Sequence, residues 1–351
     1  MPLPLLSQLN KLVQPPAHCH RGRISLQRTY ITSPPLSPHG VLVSRSTSLF
    51  SSQLSRAGTQ RVPESAPYLM KMRAKLAVLA VVVTAFLWRD TFDPESVRGA
   101  RVLVTGASMG IGEQMAYHYA RLGAQLVITA RRESALQKVV ERCMELGAQK
   151  ALYVSGDMSN PADPERVLRQ AVALLGGLDY LVLNHIGNSP YGMWDGDTDY
   201  VRTLMQINFV SYTQMASAAL PTLEKSNGAV VVVSSLLGKM TTPFAATYAS
   251  TKFAVNGFFG TLQHELAMQG SNVSITICTL GLIDTQTAMD KIRGYTDITP
   301  YPASEAALHI IKAGATRQKE SHYPWFHWFT CFFRDWFPYI RDICIQKSFN
   351  Y

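Results

Sequence analysis

The chain of 351 residues is 47% hydrophobic and 16% charged, a globular composition that excludes a wholly disordered chain, a collagen and a multi-span membrane protein. Its formal net charge of +9 comes from 33 Lys and Arg against 24 Asp and Glu. Residues 1–75 hold 10 of the basic side chains and one acid, Glu64, leaving 23 against 23 beyond them; the folded part is neutral, and no nucleic-acid partner is expected.

Residues 1–69 carry nine prolines, many serines and scattered arginines with little apolar periodicity, and are expected to be a disordered extension. An Arg- and Ser-rich leader also suits an organelle transit peptide, but Pro15-Pro16 and Pro34-Pro35 interrupt a long amphipathic helix. Residues 70–92 resemble a fresh N-terminus: Lys71, Arg73 and Lys75 precede an apolar run from Leu76 to Trp88. That run spans about 20 Å as a helix, short of the roughly 30 Å hydrocarbon core. It reads either as a signal cleaved after Ala85, with secretion, or as a short anchor that leaves the catalytic domain in the lumen of the endoplasmic reticulum. A buried helix of a soluble domain is the third reading. Asn272-Val273-Ser274 is a glycosylation triplet compatible with a lumenal fate.

Residues 93–322 read as one catalytic domain. Strand-like runs rich in Val, Ile and Leu fall at Arg101–Thr105, Gln125–Ala130, Ala151–Ser155, Asp179–Asn184, Gly228–Ser234 and Ser274–Leu280. Between them Met115, Ala116, Tyr119, Ala120 and Leu122, then Leu136, Val139, Val140 and Met144, recur at helical spacing. Alternating strands and helices predict right-handed crossovers and an α/β fold, a Rossmann-type doubly wound parallel sheet. Five dispersed cysteines show no metal-ligand spacing, so no metal site is expected, and Cys143 and Cys278 read as core residues.

After the first strand comes Thr105-Gly106-Ala107-Ser108-Met109-Gly110-Ile111-Gly112. Glycines between a strand and a helix let backbone N–H groups and the helix N-terminus approach a pyrophosphate. The second strand ends in Arg131-Arg132, where an acid would hold a ribose 2′-hydroxyl; cations, with the Ser108 hydroxyl, suit a 2′-phosphate and hence NADP. Asp157 closes the third strand, placed to touch adenine or to cap a helix.

Tyr248 and Lys252 stand four apart on one helical face. The pair alone decides nothing, since Tyr-x-x-x-Lys arises readily by chance in such a chain. Thirteen residues before Tyr248, Ser234-Ser235 supplies hydroxyls at the C-terminal edge of the Val-rich fifth strand, where ligands of open α/β sheets bind.

These elements, in order and spacing from about Ala100 to Thr285, resemble the short-chain dehydrogenase/reductase family. The resemblance implies Ser235 as the catalytic serine, Tyr248 as acid and base, Lys252 as its partner and Asn208 as the fourth member, ordering a proton-relay water. It also implies NADP contacts from Gly106, Ser108, Gly110, Ile111, Gly112, Arg131, Arg132, Asp157, Met158, Asn184, His185, Tyr248, Lys252, Ile283 and Thr285. Asn184-His185-Ile186-Gly187 and Leu280-Gly281-Leu282-Ile283 replace commoner family sequences, and with Val233–Lys239 they resemble the 11β-hydroxysteroid dehydrogenase type 1 group. That implies interconversion of 11β-hydroxy and 11-keto glucocorticoids, cortisol and cortisone, with oxidation favoured. Segments around Tyr191 and Ile292–Tyr301 depart from the pattern of that group. The competing readings are a reductase for another lipophilic alcohol or ketone and a catalytically silent NADP-binding interaction protein.

Residues 323–351 open with ten aromatic side chains in 17 residues, from Tyr323 to Tyr339. With Arg334 and Arg341 placed to snorkel, they read as a surface that docks on a membrane and passes an apolar substrate from it. A homodimer interface and plain core packing are the alternatives.

Overall fold

The computed structural model describes residues 71–79 and 91–350. The expectations for residues 1–69 and for residues 80–88 of the apolar run lie outside them. Residues 71–79 are helical with exposed side chains, and no helix among the described residues is long and apolar enough to cross a membrane.

The second compact unit of the chain holds the sheet. Its strands are β1 (Arg101–Thr105), β2 (Gln125–Ala130), β3 (Lys150–Ser155), β4 (Tyr180–Leu183), β5 (Ala229–Ser235) and β6 (Ser274–Leu280). A minor pair follows, β7 (Ile283–Asp284) and β8 (Tyr301–Pro302), and then β9 (Glu320–Tyr323). Seven strands pair in the order β3-β2-β1-β4-β5-β6-β9, all in parallel. The six strands read from the sequence are all present, within a residue or two at their ends. The seventh was not foreseen, because Glu320-Ser321-His322-Tyr323 has no apolar run; it lies against β6, with Ile277 opposite Glu320 and Leu280 opposite Tyr323.

The helices are α1 (Gly110–Arg121), α2 (Glu133–Glu145), α3 (Asp163–Leu175), α4 (Thr198–Met205), α5 (Ser211–Ser226), α6 (Ala246–Met268), α7 (Gln286–Ile292), α8 (Ala303–Ala315), α9 (His327–Phe333) and α10 (Pro338–Lys347). Pleating divides β1 between two cores. Val102 and Val104 pack on one face with Met115, Tyr119 and Ile310, and Leu103 packs on the other with Met215 and Phe259. Both faces are covered, so the strands read as continuous apolar runs instead of alternating ones. Each fully buried Val, Leu or Phe contributes about 1.5–3 kcal/mol.

One periodicity is corrected. In α2 the buried positions are Leu136, Val139 and Cys143, whereas Met144 is 49% exposed. The spacing i, i+3, i+7 keeps one stripe on the sheet and turns Met144 past its edge. Cys143 and Cys278 are both core residues, fully buried, and burial pushes each thiol up to about 12.

Candidate active site

The order of crossovers reverses between β1 and β4, and in open parallel sheets a ligand sits beyond the strand ends at such a point. The turn after β1 leads directly into α1. Gly106 has φ +67°, and a Cβ there would stand 2.7 Å from the His185 Cα; at Gly112 it would stand 2.3 Å from the Gly106 carbonyl oxygen. Neither contact is tolerable, so the two glycines are demanded by the close approach of β1, α1 and the segment after β4. A Cβ at Gly110 would meet Thr285 Cγ2 at 3.2 Å, which places Thr285 across from the same turn.

Around this turn Asn184 Nδ2 donates to the carbonyl of Thr105 at 3.0 Å and toward that of Gly106 at 3.3 Å. Arg132 Nη2 reaches Ser108 Oγ at 3.3 Å and Met109 Sδ at 3.0 Å, so its guanidinium lies over the loop, and Arg131 beside it is exposed. Ile111, in the first turn of α1, packs against the core. Asp157 does not cap α3; its Oδ1 accepts from Ser159 N at 3.0 Å. Met158, His185 and Ile283 are buried, 5%, 7% and 5% exposed. Thr285 caps α7, its Oγ1 accepting from Ala288 N. A cradle that no Cβ can enter, a helix N-terminus and a cation at the rim together fit a dinucleotide pyrophosphate and an additional phosphate.

The catalytic candidates converge on the same strand ends. Along β5 the pleat buries Ser234, 3% exposed with no hydrogen-bond partner for its Oγ among the described residues, and leaves Ser235 half-buried. Alternation therefore selects Ser235, whose Oγ accepts from Leu237 N at 3.2 Å and whose hydroxyl acts to lower the Tyr248 phenol. Burial outweighs it and pushes the phenol up to about 12. The residue as a whole is only half-buried, so solvent moderates that rise. Lys252, one turn later, is 1% exposed; burial alone brings it down to about 7. Its Nζ donates to the Val233 carbonyl at 2.8 Å and lies 5.5 Å from the Tyr212 ring centroid and 5.8 Å from that of Tyr248.

Asn208 lies in a π-helical turn, Gln206–Val210, between α4 and α5. Such turns add one residue to a helix and redirect a side chain. Asn208 is fully buried; its Oδ1 accepts from Gly187 N at 2.7 Å and its Nδ2 donates to Thr251 Oγ1 at 3.1 Å. The side chain thus joins the segment after β4 to the helix of Tyr248 and Lys252, using one Nδ2 hydrogen and one lone pair of Oδ1.

Three supporting residues escaped the sequence reading. Thr105 Oγ1 contacts the Val182 carbonyl at 3.0 Å, Asn184 N at 2.9 Å and His185 Nδ1 at 2.9 Å. The other ring nitrogen of His185 meets Ser211 Oγ at 2.7 Å, and burial brings this imidazole down to about 3, with Lys252 adding to the effect. Tyr212 donates to the His185 carbonyl at 2.7 Å, and Thr251 receives Asn208. Thr105 stood inside the glycine motif as a visible signal; Tyr212 and Thr251 look like ordinary helix residues in sequence.

A model of the family described as short chain dehydrogenase matches residues 100–296. A hydroxysteroid 11-beta-dehydrogenase 1-like protein of Danio rerio is 64% identical over 285 residues, 80% of this chain and 99% of that protein. One of the same name from Gallus gallus is 58% identical over 270 residues, 77% of this chain and 93% of that protein. Among solved structures, a short chain dehydrogenase from Burkholderia cenocepacia in complex with NADP superimposes with a TM-score of 0.59 at 24% identity, over 65% of this chain and 96% of that one. Another from Burkholderia phymatum in complex with NAD gives a TM-score of 0.62 at 20% identity, over 70% and 96%. At these identities the structures establish the shared fold.

Proposed function

The chain belongs to the short-chain dehydrogenase family and is a nicotinamide-dependent oxidoreductase, and we propose that it uses NADP(H) to interconvert an 11β-hydroxy and an 11-keto steroid of the cortisol and cortisone type. The observation that carries the chemistry is the grouping of Tyr248, Ser235 and buried Lys252 at the ends of β5 and α6, beside the glycine turn. The steroid rests on the names of the relatives, and the choice of NADP on Arg132 lying over Ser108.

When bound, the nicotinamide accepts or gives the hydride at the reacting carbon. Tyr248 moves the proton at the substrate oxygen: as phenol it donates in reduction, as phenolate it accepts in oxidation. The Ser235 hydroxyl donates to the same oxygen as its negative charge develops. Lys252 is the nearest cation to the phenol and favours the phenolate when protonated. Asn208 positions these groups through Gly187 and Thr251. The resemblance favours oxidation; the phenol's upward displacement by burial opposes it at neutral pH and makes the oxidative rate climb with alkalinity. Purified protein offered NADP+ or NADPH with a panel of steroids, followed by absorbance of the reduced cofactor, tests the reading. Turnover of other lipophilic ketones but no steroid would transfer the proposal to the competing substrate class.

The proposed location is the membrane of the endoplasmic reticulum, with the catalytic unit lumenal and the aromatic surface of α9 and α10 resting in the interface. Trp325, Trp328, Phe332, Trp336 and Phe337 are 49–63% exposed, a large apolar display that suits the headgroup level. The alternative, a homodimer formed on this face, predicts a concentration-dependent mass in detergent-free solution.

A further inference from the structure

The segment after α10 folds back onto the segments around Tyr191, Phe244 and Tyr295. Phe349 is half-buried between two exposed neighbours, Ser348 and Asn350. Its ring centroid lies 6.3 Å from those of Tyr191 and Phe244, and Tyr295 completes the group at 5.4 Å from Tyr191 and 5.0 Å from Phe244. Two hydrogen bonds fasten the tail: Asn350 N donates to the Tyr295 carbonyl at 2.8 Å, and Thr296 Oγ1 donates to the Ser348 carbonyl at 2.8 Å.

This aromatic group is tied to the catalytic segments on two sides. Phe244 stands four residues before Tyr248, in a left-handed conformation with φ +66° that a bulky side chain adopts only under constraint. Gly192 N donates to its carbonyl at 3.0 Å, and the ring of Tyr191 lies 6.0 Å from that of Phe244. Tyr191 in turn follows Gly187, the residue held by Asn208, by four positions. Tyr191, Phe244 and Tyr295 therefore form an aromatic wall joined through Phe244 to the segment that leads into Tyr248, and Phe349 packs against Tyr191 and Phe244.

We propose that Phe349 is a size-selecting plug: it fills the aromatic box in competition with the far end of a long apolar substrate, while a compact substrate reaches Tyr248 without displacing it. The segment suits this role, because it is held by one ring and two hydrogen bonds. The proposal rests on the oxidoreductase reading.

The full chain, Phe349→Ala and Phe349→Tyr are compared with NADPH and two ketones, cyclohexanone and a four-ring 11-ketosteroid. Phe349→Ala is expected to lower KM for the four-ring ketone at least fivefold with kcat within twofold, to leave both constants for cyclohexanone unchanged, and Phe349→Tyr is expected to restore the parent values. An unchanged or raised KM for the four-ring ketone in Phe349→Ala overturns the proposal. If the parent chain reduces no ketone of that size, the failure belongs to the functional reading, and the plug is judged by carboxypeptidase release of Phe349. Tyr191→Ala should speed that release at least fivefold at an unchanged melting temperature; an equal rate overturns the proposal.

Discussion

Lys252 Nζ sits 2.8 Å from the carbonyl oxygen of Val233, two residues before Ser235 on the same strand. The bond locks the helix of Tyr248 to the strand of Ser235, and it holds a lysine in a place where its charge is costly. Replacement by Met, similar in length and uncharged, should therefore raise stability near pH 7 by about 1–3 kcal/mol while abolishing turnover. The sign follows from linkage: the folded lysine titrates near 7 and the unfolded one near 10.5, so the unfolded chain binds more protons between those values. Stability of the parent climbs with pH across that window, by up to about 1.4 kcal/mol per pH unit, and Lys252→Met should lack the climb. Thermal melts of both proteins from pH 7 to 9 check it.

Tyr248→Phe should retain cofactor binding within twofold and lose about 10²–10⁴-fold in kcat, the range for removing a positioned acid or base. Fluorescence titration with NADPH beside turnover separates the two effects.

Arg131 and Arg132 are expected to set cofactor preference. Replacing both by Ala should weaken NADPH binding by about 1.5–3 kcal/mol, the range for hydrogen bonds to a charged group, with little change for NADH. Isothermal titration with the two cofactors gives the answer, and equal losses would assign the arginines to structure.

The buried imidazole of His185 predicts acid sensitivity. Its folded value is about 3 against 6.5 in the unfolded chain, so the unfolded chain takes up the proton first; stability is full above about 6.5 and falls as pH drops toward 3. His185→Asn should remove up to about 1.4 kcal/mol per pH unit of that decline. Urea unfolding midpoints at pH 6, 5 and 4 provide the measurement.

Exchanging Phe332, Phe333, Trp336 and Phe337 for serine should cut the bound fraction in vesicle flotation at least fivefold without lowering turnover of a soluble ketone. All four rings are 44–63% exposed, so the substitutions leave the core intact.

The sheet, the glycine turn and the pair Tyr248 and Lys252 were legible because each writes a local signal: a Val-rich run buried on both faces, glycines at a forced approach, a fixed spacing on one helix. Ser235 was set apart from Ser234 in sequence by the resemblance, and the pleat supplies the physical reason. Met144 was misplaced because two adjacent apolar residues, Cys143 and Met144, fit one helical stripe almost equally well in sequence. The seventh strand and the Phe349 contacts were invisible for a different reason. Both are long-range pairings: the polar strand Glu320–Tyr323 is specified by the free side of β6, and Phe349 finds Tyr191 across more than half of the folded unit.

The position of β9 also bears on how the chain is made. Its partner β6 carries Ile275, Ile277 and Leu280, and β9 lies beyond α7 and α8 in the sequence. Until synthesis passes Tyr323, β6 is a sheet margin with open backbone donors and acceptors, the kind of surface that recruits strands from other chains. A premature stop anywhere between α7 and β9 would leave every catalytic candidate encoded, and the product would fail by self-association of nascent molecules before chemistry was at issue.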